Sequence, residues 1–149
     1  MIDRRHIGTT LPPFTVDVER SRLRFFAKAT GQDDPVYSDD AAARAAGHAA
    51  LPVPPTFLFC LEMEAPNPAA IRELLGLDYR RILHGEQGFS FHRLAHAGDR
   101  LSFSQRIEDI YDKKGGALEF IVRKTAVTNA QGEAVAELRC VTVYRNPAP

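Results

Sequence analysis

Hydrophobic positions along the chain change their spacing near residue 80, from a mostly helical repeat before it to alternation after it. In LPPFTVDV, Phe14, Val16 and Val18 alternate as in a short edge strand. From Glu19, acidic and then basic residues precede Leu23, Phe25, Phe26 and Ala29, which predicts a helix ending at Thr30. Gly31 is free to take the left-handed turn that closes it. Ser38 is placed to cap a second helix, DDAAARAA, in which Asp39 and Asp40 oppose the helix dipole and Gly47 marks the stop. TFLFCLEME is apolar on nearly every side for two turns, the pattern of a helix buried in the core, and Pro54-Pro55-Thr56 supplies its start signal. APNP ends that helix, and AAIRELLGL forms a further short one.

Beyond Arg80, RILHGEQGFSFHR, RLSFSQRIEDIYD, GALEFIVRKTAVT and EAVAELRCVTVYR read as strands, with glycine-bearing hairpin turns at 113–116 and 129–132. One buried helix followed by a meander of long antiparallel strands predicts an α+β fold in which the sheet wraps around a central helix. That is the hot-dog arrangement, here a single domain spanning residues 1–149. Such a sheet leaves an open strand edge that has to be paired or protected, so the pattern also predicts a dimer.

Charge narrows the range of partners. Lys plus Arg and Asp plus Glu number 19 each and the pI is near 7.0. No long-range positive field therefore exists to gather nucleic acid or an anionic membrane. Cys60 and Cys140 lie in separate apolar stretches, FLFCLEM and LRCVTV, which predicts free thiols in a reducing compartment and no metal site. MIDRRHIGTT lacks the apolar core of a signal peptide, and AALPVPPTFLFCL is too short and too broken by proline to span a bilayer. The expected location is the cytoplasm.

Two stretches carry candidate chemistry. GQDDPVY, residues 31–37, is either a plain turn between two helices or the frame of a site. In LHGEQGFSFHR, strict alternation puts Leu83, Phe89 and Phe91 on one face and His84, Glu86 and His92 on the other. His84 and Glu86 would then stand about 6.6 Å apart along the strand, close enough to flank one small group as an acid-base couple, or simply form a polar face toward water or a partner. Gly85 and Gly88 signal a bulge or a close backbone approach. Arg93, His96 and Arg100 are candidates for binding phosphate groups. Phe57, Phe59 and Met63 read as core.

The succession FAKATGQDDPVYSDDAAARAAG, VPPTF, LHGEQGFSFHR and AGDRLSF resembles the MaoC-like hydratase/dehydratase family, and most closely its FAS1-like, N-terminal-type dehydratase domain. The likeness runs from about Ile7 to Tyr144. It implies binding of enoyl thioesters carried on coenzyme A or a carrier protein, with no cofactor beyond that carrier arm. Catalytic members carry Gly-Asp-x-Asn-Pro-x-His in this loop, where the acid and imidazole manage the proton traffic of water addition. Aligned on Gly31 and Pro35, this chain has Gln32 in the aspartate slot, Asp34 in the asparagine slot and Tyr37 in the histidine slot. Glutamine takes up no proton near neutral pH, and an ordinary tyrosine, with a pKa of about 10, is a poor shuttle. The resemblance therefore implies a chemically degenerate subunit that binds substrate beside a catalytic hot-dog subunit. The alternatives are a self-sufficient homodimeric hydratase or thioesterase using His84 and Glu86, with Asp33 or Asp34 assisting, and a homodimer that binds acyl-CoA without turning it over. On this reading Gly31, Asp34, Pro35, Phe57, Gly85 and Arg93 form the substrate-binding set.

Overall fold

The computed structural model describes residues 1–147. Its framework is one antiparallel sheet of five strands: β1 (Phe14–Asp17), β2 (Ile82–Phe91), β3 (Arg100–Lys113), β4 (Leu118–Thr128) and β5 (Ala134–Arg145). Their order across the sheet is β1-β3-β4-β5-β2. The last three strands pair as successive hairpins because each is long and apolar on alternate residues. β2, which precedes them in sequence, takes the far edge beside β5, and β1 closes the other edge against β3.

Cross-strand register defines an inner face. Phe103, Val127 and Ala136 form one row across β3, β4 and β5, and Gln105, Thr125 and Leu138 form the next. Four α-helices precede the meander: α1 (Arg20–Thr30), α2 (Asp40–Ala45), α3 (Phe57–Glu62) and α4 (Ala70–Leu74). α3 lies in the core, where Phe57, Leu58 and Leu61 join Leu101, Phe103 and Leu138. Burying each such side chain stabilises the fold by about 1.5–3 kcal/mol. The expected α+β hot-dog layout is what the chain adopts, with a shorter central helix than TFLFCLEME implied: Met63 lies past its end and is half exposed.

Two local expectations are corrected. Asp39, not Ser38, caps α2, accepting from the amides of Ala41 and Ala42. Asp39 directly precedes the first helical residue and has the extended backbone a cap requires (φ −117°, ψ 119°), whereas Ser38 lies one residue too early, at ψ −24°. On α1 the inward stripe is Leu23, Phe26 and Ala27, whereas Phe25 is 75% exposed. Phe25 follows Leu23 by two residues, which turns it to the far side of a 3.6-residue helix. Among the described residues no helix is long and apolar enough to cross a membrane.

Candidate functional site

The GQDDPVY loop is built by its own side chains. Gly31 closes α1 in the left-handed conformation (φ 70°), as expected from its place after Thr30. The Gln32 side-chain oxygen accepts from the Asp34 amide at 3.1 Å, and Asp34 in turn accepts from the Val36 amide at 3.0 Å. Pro35 then opens a single 3-10 turn, Pro35–Tyr37. The loop thus has a defined shape, and its two best-placed polar groups are spent on maintaining it. Asp33 is exposed and Tyr37 is half buried.

On β2 the structure departs from strict alternation. His84 stands opposite Thr142, but Glu86 stands opposite Val141, so Gly85 is an extra, bulged residue. A bulge of one residue flips every later side chain to the other face. His84 therefore shares the inner face with Gln87, Phe89 and Phe91, while Glu86 lies on the outer face and pairs with Arg139 at 2.7 Å. The expected His84/Glu86 couple is not formed. Gly85 is required where it sits: a Cβ there would lie 2.8 Å from a Val143 methyl and 3.0 Å from the Val141 carbonyl oxygen. The close approach that its sequence position signalled is to β5.

Inside the bulge lies a cavity of about 690 Å³ between the sheet and the α3–α4 segment. Phe59, Met63, Ile71 and Leu77 form an apolar side, and His84, Arg123, Cys140 and Thr142 project from three neighbouring strands on the other. The His84 ring meets Phe59 edge-on with centroids 5.5 Å apart, and its Nδ1 is 3.9 Å from the Cys140 sulfur. Burial raises the pKa of the Cys140 thiol, which keeps it protonated and unreactive. Burial likewise raises that of Cys60, and both cysteines are free, as expected.

Behind the cavity is a buried carboxylate that the sequence reading passed over. Glu62, at the end of α3, is 2% exposed. It accepts from Arg123 at 2.8 Å, from the Gln105 amide at 3.1 Å and from the Thr125 hydroxyl. A charge taken out of water needs such partners, so this network ties the central helix to β3 and β4. The available signal was Glu62, the first acid to interrupt the apolar run of TFLFCLEME.

The remaining candidates are scattered. Phe57 is core, packed on Phe26 at 4.9 Å and beneath the Arg22 guanidinium. Arg93 pairs with Glu133 at 2.9 Å beside a separate cavity of about 360 Å³. His96 lies against His48, and Arg100 faces Asp17. No residue of the Gly31–Tyr37 loop lines the larger cavity. Among the described residues no group of three or more His, Cys, Asp or Glu is placed to hold a metal ion.

Residues 5–138 match the family model described as FAS1-like, dehydratase domain region. A UPF0336 protein of Saccharopolyspora erythraea is 36% identical over 148 residues, which covers 99% of this chain and 94% of that protein. Among solved structures, the C-terminally truncated HadBC (3R-hydroxyacyl-ACP dehydratase) complex from Mycobacterium tuberculosis superposes with a TM-score of 0.78. The identity is 27%, over 93% of this chain and 96% of the other. A MaoC-like dehydratase gives 0.84 at 26% identity, over 95% of this chain but 42% of its own. With a five-stranded sheet around a short buried helix and a family match over most of its length, the chain belongs to the FAS1-like dehydratase domain family, in the MaoC-like hot-dog fold.

Proposed function

We propose that this chain is the substrate-binding, chemically degenerate subunit of an enoyl-thioester hydratase or 3-hydroxyacyl-thioester dehydratase, paired with a catalytic hot-dog subunit. The observation that carries this reading is the loop. Gly31, Asp34 and Pro35 keep its backbone shape, while Gln32 and Tyr37 stand where an acid and an imidazole would be needed. Water addition to an enoyl thioester needs one group to take a proton and another to deliver one, and neither side chain does so readily at neutral pH. The likeness to the HadBC complex supports a heteromeric setting. The ten-residue β2 edge, unpaired in the single chain, supports strand-to-strand pairing with a second hot-dog subunit. The substrate arm is coenzyme A or phosphopantetheine, no other cofactor takes part, and two free thiols fit a cytoplasmic setting.

A self-sufficient enzyme built on His84 and Glu86 has lost its geometric basis, because the two side chains lie on opposite faces of the sheet. The test is enoyl-CoA hydration by the purified chain, alone and co-expressed with a hot-dog subunit that carries the intact loop motif. The expected result is activity only in the pair, with both chains in one complex. A pair no more active than the catalytic subunit by itself, with no complex formed, would refute the proposal.

A further inference from the structure

Charge is unevenly distributed around the larger cavity. Arg72 lines it from α4 and Arg123 from β4, and none of the residues lining it is a carboxylate. Each guanidinium has capacity to spare. The carboxylate beside Arg72 is Glu73 at 3.4 Å, an exposed neighbour on its own helix that also accepts from Asn67, and a surface pair of this kind is weak. Arg123 donates from Nη2 to Glu62 at 2.8 Å, and its Nε is buried. Its Nη1 differs from both: it has no acceptor among the described residues, and it is not buried. β4 is flanked by β3 and β5 and Arg123 points to the α3 side, so the open space that Nη1 meets is the cavity that Arg123 lines.

Glu62 holds this arrangement from behind. It is buried, it accepts from three side chains, and it is not part of the cavity lining. Cations that line a recess with no anion among them raise the potential inside it, the more so where protein walls displace water. On the other side Phe59, Met63, Ile71 and Leu77 present an apolar surface. At about 690 Å³ the space falls within the range of roughly 300–1,000 Å³ typical of small-molecule sites. A ligand that satisfies both sides has a hydrocarbon body and one anionic acceptor. Hydrocarbon alone would cover Nη1 and leave it unpaired, and a doubly charged group would set its second charge against Glu62.

We propose that this cavity binds a free medium-chain fatty acid, with its carboxylate on Arg123 Nη1 beside the Thr142 hydroxyl and its chain against Phe59, Met63, Ile71 and Leu77. Arg123 is the contacting cation, Arg72 adds attraction from the opposite wall, and Glu62 is a positioning residue. The ligand is a free acid and not a thioester, so the inference stands apart from the function proposed above.

Isothermal titration of the purified chain with decanoate and with decanamide, its neutral isostere, tests this. Decanoate is expected to bind about tenfold more tightly, the difference between a hydrogen bond to a charged acceptor and one to a neutral acceptor. The paired change Glu62→Gln with Arg123→Met removes the contacting cation without leaving a lone buried charge, and is expected to erase that preference. Arg72→Gln alters a partly exposed side chain and carries the test even if the paired variant folds poorly. It is expected to weaken decanoate by about threefold and to leave decanamide unchanged. Arg93→Gln, at the smaller cavity, is expected to change neither. Equal affinities, or no binding of decanoate, overturn the inference. A preference that Arg72→Gln leaves intact, or one lost on Arg93→Gln, overturns it as well.

Discussion

The GQDDPVY loop and the β2–β5–β4 wall of the cavity are specified in opposite ways. The loop takes its shape from local rules: a left-handed glycine, Gln32 and Asp34 side chains each bonded to the amide two residues on, and a proline with its φ preset. On the proposed reading the Gln32 and Tyr37 slots can be refilled with that shape kept, since an aspartate at 32 can also accept from the Asp34 amide. The wall is the reverse. Its shape depends on its polar groups, because Arg123 is held by a carboxylate that would be intolerable in the core if left alone. On the proposed reading a loop frame can outlast the chemistry it once supported, whereas a buried ionic network cannot lose one member cheaply.

That contrast breaks most visibly at the network. Arg123→Met strands the Glu62 carboxylate in the core and is expected to cost about 3–5 kcal/mol in urea unfolding. Adding Glu62→Gln should recover much of the loss, since the hydrogen bonds to Gln105 and Thr125 survive with a neutral amide. Additive losses in the double variant would show that the two residues act separately.

The bulge comes next. Gly85→Ala places a methyl against Val143 and the Val141 carbonyl, and is expected to cost about 1–3 kcal/mol by overpacking. A midpoint unchanged in thermal unfolding would mean that β2 shifts freely on β5. The loop should respond least. Asp34→Ala removes one capping bond on an exposed turn and is expected to cost about 1 kcal/mol, with Gln32→Ala smaller still.

These positions also mark where the sequence is legible. α1 and its Gly31 cap follow from local rules, as does the alternating meander, and so those elements lie where the pattern puts them. Bulges do not follow from alternation. Gly85 carried a glycine signal, yet the pattern on either side of it reads smoothly as one face. A second bulge, at Glu108 between Ile107 and Asp109, carries no glycine at all. Glu62 interrupts an apolar helix, but its partner Arg123 is 61 residues away on a strand that alternates like its neighbours. Long-range pairing of this kind exists only once the sheet has closed over the helix. The cavity was legible through Phe59 and Met63 on its helical side and through His84 on β2, while Arg123 and Thr142 were illegible for the same reason.

The measurement closest to the central claim is the initial rate of enoyl-CoA hydration by the purified chain, compared with the double variant Gln32→Asp, Tyr37→His. Refilling both slots in an intact frame should raise the rate by about 10²-fold or more over a wild-type background near zero, the usual worth of a placed acid-base group. If the purified wild-type chain turns over robustly, and the double variant gains nothing on it, the loop is no degenerate frame and the account is wrong.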